Sequence, residues 1–195
     1  KSRATQLVQT VERVLMSVQS DTDLLRAENY IHSRTTRFVL ESDPSLVGPV
    51  VRRLRADLQA AGICDEYAAL RTGIAVEEAL LNAVYHGNLE VPSSLKWDDE
   101  TEFDRLASAR RLLSPYRERK VRIRLRCTPD LATIAISDDG PGFDRTTIPD
   151  PNDPEMMVRP TGRGLVLMQT LTDGMEFNPK GNRVTLRKLR AGGPT

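Results

Sequence analysis

The sequence predicts an α+β two-layer sandwich: a mixed, largely antiparallel sheet with helices on one face, preceded by a long N-terminal helix. Two observations carry this. Strand-like segments follow one another in the second half of the chain with no crossover helix between them, which suits antiparallel pairing. One of them, "VRIRLRC", alternates Val121, Ile123, Leu125 and Cys127 with Arg122, Arg124 and Arg126, so one sheet face is buried and the other is wet.

The elements follow in order. Ala4, Leu7, Val11, Val14, Val18 and Leu25 recur at spacings of three and four, with Asp21 interrupting the seam. About three heptads of this kind fit two readings of residues 1–34: a paired, coiled-coil connector, or an amphipathic helix packed on its own domain. Residues 35–195 form the domain proper. "TTRFVLES" (35–42) is β-branched and aromatic, hence a strand. Ser42-Asp43-Pro44 stops it and starts a helix marked by Leu46, Val50, Leu54 and Leu58, which ends at Gly62. A second helix runs from about Asp65 to Asn88. Residues 89–120 are a connector with a helix from Asp98 to Leu113, whose Phe103, Leu106, Ala109 and Leu113 share a face. After "VRIRLRC", the evenly apolar "LATIAIS" reads as a central strand. A loop rich in Pro and Asp follows from Asp144, then a short helix over Gly164–Thr172. A hairpin turning at Pro179–Asn182 closes the chain.

Composition excludes several classes of function. Lys plus Arg number 28 against 27 acidic residues, so a general attraction to nucleic acid is not expected. No run reaches the roughly 18 apolar residues of a membrane span, and no signal-peptide pattern opens the chain. Cys64 and Cys127 lack any ligand spacing and read as reduced residues of a cytoplasmic protein. With His32 and His86 the only histidines, a His-rich metal site is not expected. A start at Lys1 rather than Met leaves room for an upstream domain, to which the N-terminal helix would be the connector.

Three stretches carry chemistry. In "EEALLNAVYHGN" (77–88), Glu78 and Asn82 stand one turn apart on the same face of an otherwise apolar helix. In "ISDDGPGFD" (136–144), strand parity puts Asp138 on the buried face with Ile134 and Ile136 and turns Asp139 away, while Gly140 and Gly142 permit a tight turn. In "TGRGLVLM" (161–168), Gly162, Arg163 and Gly164 precede an apolar helix start, where free backbone N–H groups and the helix dipole favour an anion. Each stretch alone also fits a structural role: an exposed helix stripe, a strand-end turn, a helix cap.

Taken in this order and spacing, the three resemble the ATP-binding module of the GHKL superfamily (the Bergerat fold), shared by DNA gyrase, a heat-shock chaperone family, bacterial histidine kinases and the DNA-repair ATPase MutL. Glu78-x-x-x-Asn82 is similar to its N-box, Asp138-x-Gly140-x-Gly142 to its first glycine box and Gly162-Arg163-Gly164-Leu165 to its second. The resemblance implies ATP and Mg²⁺ as cofactors. It makes Asn82 the protein ligand of the metal, Glu78 the catalytic base and Asp138 the acceptor for the adenine amine. Gly140, Gly142, Thr161, Gly162, Arg163, Gly164 and Leu165 would contact the nucleotide, under a lid spanning 144–161. Many members carry a threonine after the glycine of the last hairpin; here Asn182 follows Gly181.

Among the members, the compact ending and the style of all three motifs resemble bacterial anti-sigma-factor serine/threonine kinases. That resemblance implies a protein kinase acting on a STAS-fold anti-anti-sigma factor, with a sigma factor as a further partner. Alternatives are a non-catalytic ATP-binding module that sequesters its partner, and the output ATPase or kinase domain of a two-component-type protein. A homodimer through the N-terminal helix is a further expectation, with no direct contact to nucleic acid or membrane. "YIHSRTT" lacks the setting of a phosphoacceptor histidine, and His86 is read as a packing or hydrogen-bonding residue. Arg122, Arg124, Arg126 and Arg187 form either a basic stripe for an acidic partner or the solvated outer face of the sheet.

Overall fold

A computed structural model describes residues 9–13, 16, 19, 23, 26, 27, 30–144 and 163–190. The chain divides into two compact units, Lys1–Ser33 and Arg34–Thr195. In the first, the described residues from 9 to 27 are helical and exposed, with Val11 49% and Met16 74% accessible. Ala4, Leu7, Val14, Val18, Asp21 and Leu25, which define the expected seam, lie outside the described residues.

The second unit is the expected α+β sandwich. Strand β1 (Arg34–Glu41) ends where the Asp43 carboxylate accepts a hydrogen bond from the Ser45 N–H at 3.0 Å, opening a short 3₁₀ turn, Pro44–Leu46. Helix α1 (Val47–Ala60) buries Val47, Val50, Val51, Leu54 and Leu58. Asp65 then caps the Ala68 N–H at 2.7 Å and starts α2 (Glu66–Leu81), which runs on as a π-helix through Asn82–Asn88. The widened end has no sequence signature of its own, and such segments tend to occur at functional sites.

Strands β2 (Lys120–Cys127), β3 (Leu131–Ser137), β4 (Gly174–Phe177) and β5 (Arg183–Leu189) complete a five-stranded sheet of order β1-β2-β3-β5-β4. Every neighbouring pair is antiparallel, because the hairpin returns β5 beside β3 and leaves β4 on the edge. The sheet is thus more uniform than a mixed one. Its inner face contributes Val121, Ile123, Leu125, Ala132, Ile134, Ile136, Val184 and Leu186 to the core. Helix α5 (Arg163–Leu171) packs against α2. Both cysteines are buried free thiols.

The connector departs from expectation at its ends. Asp99 turns extended and accepts the Glu102 N–H at 3.0 Å, so the helix splits into α3 (Leu95–Asp98) and α4 (Glu100–Leu112). The buried face of α4 holds Phe103, Leu106 and Ala107; Ala109 is exposed, and Leu113, just past the helix end, is 55% exposed. Phe103 anchors the connector by packing its ring 4.9 Å from that of Tyr85. Phe103→Ala is therefore expected to lower the unfolding free energy by about 3–5 kcal/mol in urea denaturation, whereas Ala109→Ser should change it by less than about 0.5 kcal/mol.

Candidate functional site

Glu78 and Asn82 lie on the last turn of α2 and the first residue of the π-helix. Both are half-buried, while Glu77 faces solvent. Gly164, in the first turn of α5, comes so close that a Cβ on it would stand 2.7 Å from Glu78 Oε2 and 3.6 Å from Asn82 Nδ2. A larger residue there would push the Glu78 carboxylate aside. Neither the carboxylate nor the carboxamide has a hydrogen-bond partner among the described residues. Burial pushes the Glu78 carboxyl above its ordinary range, and Glu77 adds to the shift against the pull of Lys96. Glu78 is thus a half-buried acid beside a helix N-terminus.

The second cluster forms where β3 ends. Asp138 turns under the helices, as parity predicts, and Asp139 is exposed. A Cβ on Gly87 would stand 2.5 Å from the Asp138 carboxyl carbon, and one on Gly140 would collide with the Gly87 carbonyl. Two backbones thus close around one carboxylate. The Gly140 N–H donates to Asp138 Oδ1 at 2.8 Å and occupies that oxygen. Burial pushes the Asp138 carboxyl up to about 6, with Asp139 reinforcing the shift and Gly140 and Lys180 opposing it. The hairpin turn supports this loop: Asn182 Nδ2 donates to the Asp138 carbonyl at 3.0 Å, the Asp138 N–H donates to the Asn182 carbonyl at 3.1 Å, and Lys180 Nζ donates to the Gly140 carbonyl at 3.1 Å. Gly142 (φ 80°) lies against the Lys180 carbonyl of the hairpin turn and Gly181 (φ 76°) against the Phe143 backbone, both in left-handed conformations.

Two residues of this cluster escaped the sequence reading. Gly87 had a signal, since a glycine within a helix costs about 1 kcal/mol relative to alanine and calls for a reason. The fully buried Asn88 had none. Its Nδ2 donates to Ser42 Oγ at 3.0 Å, and its Oδ1 accepts the Asp139 N–H at 2.8 Å. One carboxamide therefore ties the end of the π-helix to the glycine loop and to the end of β1.

Glu78, Asn82 and Gly164 thus meet in one place, and Asp138, Gly140, Gly142 and Asn182 in another along the same helix. Arg163 opens α5, and Leu165 is partly buried against the core. Thr161 and Gly162, and the lid expected over 144–161 apart from Asp144, lie outside the described residues. His86 has the structural role expected of it: its ring Nδ1 is 2.6 Å from the Val91 carbonyl, so that nitrogen carries the proton. His32 is exposed ahead of β1.

A family model of the histidine kinase-like ATPase domain matches residues 40–188. The chain belongs to that family. No curated protein matches it. The histidine kinase-like ATPase domain is an ATP-binding one, and its match takes in all three motifs. No described helix is long and apolar enough to cross a membrane. For this ATPase domain, Gly87→Ala places a methyl group against the Asp138 carboxylate. The variant is expected to remain folded by circular dichroism yet to lose ATP affinity at least tenfold in calorimetry.

Proposed function

We propose that this ATPase domain is a magnesium-dependent serine/threonine protein kinase of the anti-sigma-factor type, with a STAS-fold protein as phosphoacceptor. The observation that carries the proposal is Glu78, a half-buried carboxylate with no structural partner among the described residues, one turn from Asn82 and against Gly164. A protein that only held ATP would have no use for a base at that position.

Asn82 offers Mg²⁺ a hard amide oxygen at the place where the glycine of the α5 N-terminus approaches α2. Among the described residues no group of three or more His, Cys, Asp or Glu side chains is arranged to hold a metal ion. When bound, the ion neutralises charge on the phosphates. The N-terminus of α5, with Arg163 and Gly164, presents backbone N–H groups to the same phosphates, and the family resemblance assigns Thr161, Gly162 and Leu165 to that contact. Glu78 takes the proton of the incoming hydroxyl as its oxygen bonds to the γ-phosphorus and the bond to the ADP oxygen breaks. The free oxygen of Asp138 accepts the adenine amine, a contact that the guanine carbonyl cannot make, and Gly140 and Gly142 let the loop approach the base.

ATP titration with and without Mg²⁺ tests the site. Asn82→Ala is expected to abolish the magnesium-dependent part of the affinity; no ATP binding in wild type would sink the reading. Glu78→Gln should retain ATP affinity within about threefold and lose phosphotransfer at least a hundredfold, the scale of a lost general base. Hydrolysis to ADP with no labelled STAS-fold protein would make water the acceptor.

Asp138 gives a pH signature. Its carboxyl, raised to about 6, is ionised above that pH and protonated below it. Wild-type ATP affinity should therefore fall on acidification through about pH 6. In Asp138→Asn, Gly140 would hold the amide oxygen and turn the NH₂ toward the adenine amine. That variant is expected to bind more weakly at neutral pH and to lack the step.

A further inference from the structure

The outer sheet face, opposite the helices of this unit, carries six exposed arginines: Arg37, Arg122, Arg124, Arg126, Arg183 and Arg187. The strand register arranges them in three rows. One runs Thr35–Arg126–Thr133–Arg187, the next Arg37–Arg124–Ala135–Thr185 and the third Val39–Arg122–Ser137–Arg183. The central strand β3 contributes only Thr133, Ala135 and Ser137 to these rows. The face is therefore a shallow trough with a floor of short side chains and an arginine bank on each side. The banks, on β2 and β5, are two strand spacings apart, about 10 Å.

Local ion pairs do not account for these charges. Arg187 reaches Glu176 at 2.9 Å and Arg122 reaches Asp139 at 2.5 Å, both at the margins. Arg37, Arg124, Arg126 and Arg183 have no acidic partner among the described residues. Arg37 and Arg124 stand directly opposite one another, an arrangement that costs stability.

We propose that this trough is a docking surface for an acidic segment of a partner protein, lying along β3 with its carboxylates paired to the two arginine banks. Charge complementarity and the width of the trough favour a single helix or strand. Guanidinium groups, unlike ammonium groups, grip carboxylates in bidentate pairs. Three features disfavour a continuous polyanion. No aromatic side chain lies in the three rows on which a base could stack. The rows together span only about 14 Å along the strands. Glu41, Asp139 and Glu176 stand at the margins, where they would repel a phosphate lattice yet suit a basic flank on a protein.

A fluorescent polyglutamate peptide serves as the probe, read by anisotropy over a salt titration. Wild type is expected to bind it with an affinity that falls steeply with salt. Arg37→Thr/Arg124→Thr should weaken binding at least tenfold without lowering the melting temperature, since it removes a like-charge pair and places threonine on a strand. Arg126→Thr/Arg183→Thr, which leaves that pair intact, should weaken it similarly. Arg52→Thr/Arg71→Thr, on exposed helical positions, should have no effect. Equal weakening in this control would overturn the proposal. So would displacement of the peptide by duplex DNA or by phosphatidylserine vesicles at concentrations where a second acidic peptide does not displace it.

Discussion

The close approach of helix backbone to strand end at Gly87, Gly140 and Asp138 sets the height of the helical layer over the sheet. With no Cβ on either glycine, the π-helix settles onto the glycine loop and the Asp138 carboxylate is enclosed between them. Any side chain there would lift the helix and move Asn82 and Glu78 with it. Asn88 secures the same junction by bonding both the Asp139 N–H and Ser42. The cluster at the end of the π extension is thus secured twice, by the glycine approach and by the Asn88 carboxamide.

This junction carries costs that the surroundings offset. Burial raises both Asp138 and Glu78, so the nucleotide-free protein holds two acids in places that disfavour their charge. The carbonyls at the end of the π-helix, and Glu90 in its left-handed conformation (φ 52°), would be unsatisfied without the connector. Arg110 donates to the Leu89 and Glu90 carbonyls at 2.8 and 2.6 Å, and Arg119 to the Asn88 carbonyl at 2.7 Å. Both guanidiniums lie over the Tyr116 ring, and Arg119 also pairs with Glu90. Cations at a helix C-terminus are favourable in their own right. The stretch 89–120 is therefore a clamp on the helix that bears Asn82, and it gives the connector a structural reason to carry so many arginines.

Charge is segregated as well. A net charge of +1 conceals a sheet face dominated by arginine, while Asp98, Asp99, Glu100, Glu102 and Asp104 gather around the start of α4. Composition alone averages such features away, because it carries no information on which residues share a face. The period of two in "VRIRLRC" did place Arg122, Arg124 and Arg126 outward, but Arg37 and Arg183 joined them only through the strand register.

By itself, the sequence determined the elements and the chemistry of their faces. Period two in β2 and β3, the caps at Asp43 and Asp65, and the spacing of Glu78 and Asn82 are local properties, fixed by backbone geometry over a few residues. They sufficed for the fold class and for the motifs behind the family resemblance. Tertiary structure decided what local rules do not encode. It split the connector helix at Asp99, turned Ala107 rather than Ala109 inward, and gave α2 a π-helical end. It also brought Gly164 to Glu78, and Gly87 and Asn88 to the glycine loop, across separations of 86, 51 and 51 residues. A buried asparagine reads as polar in any local window. Only packing between two layers shows that its carboxamide joins them.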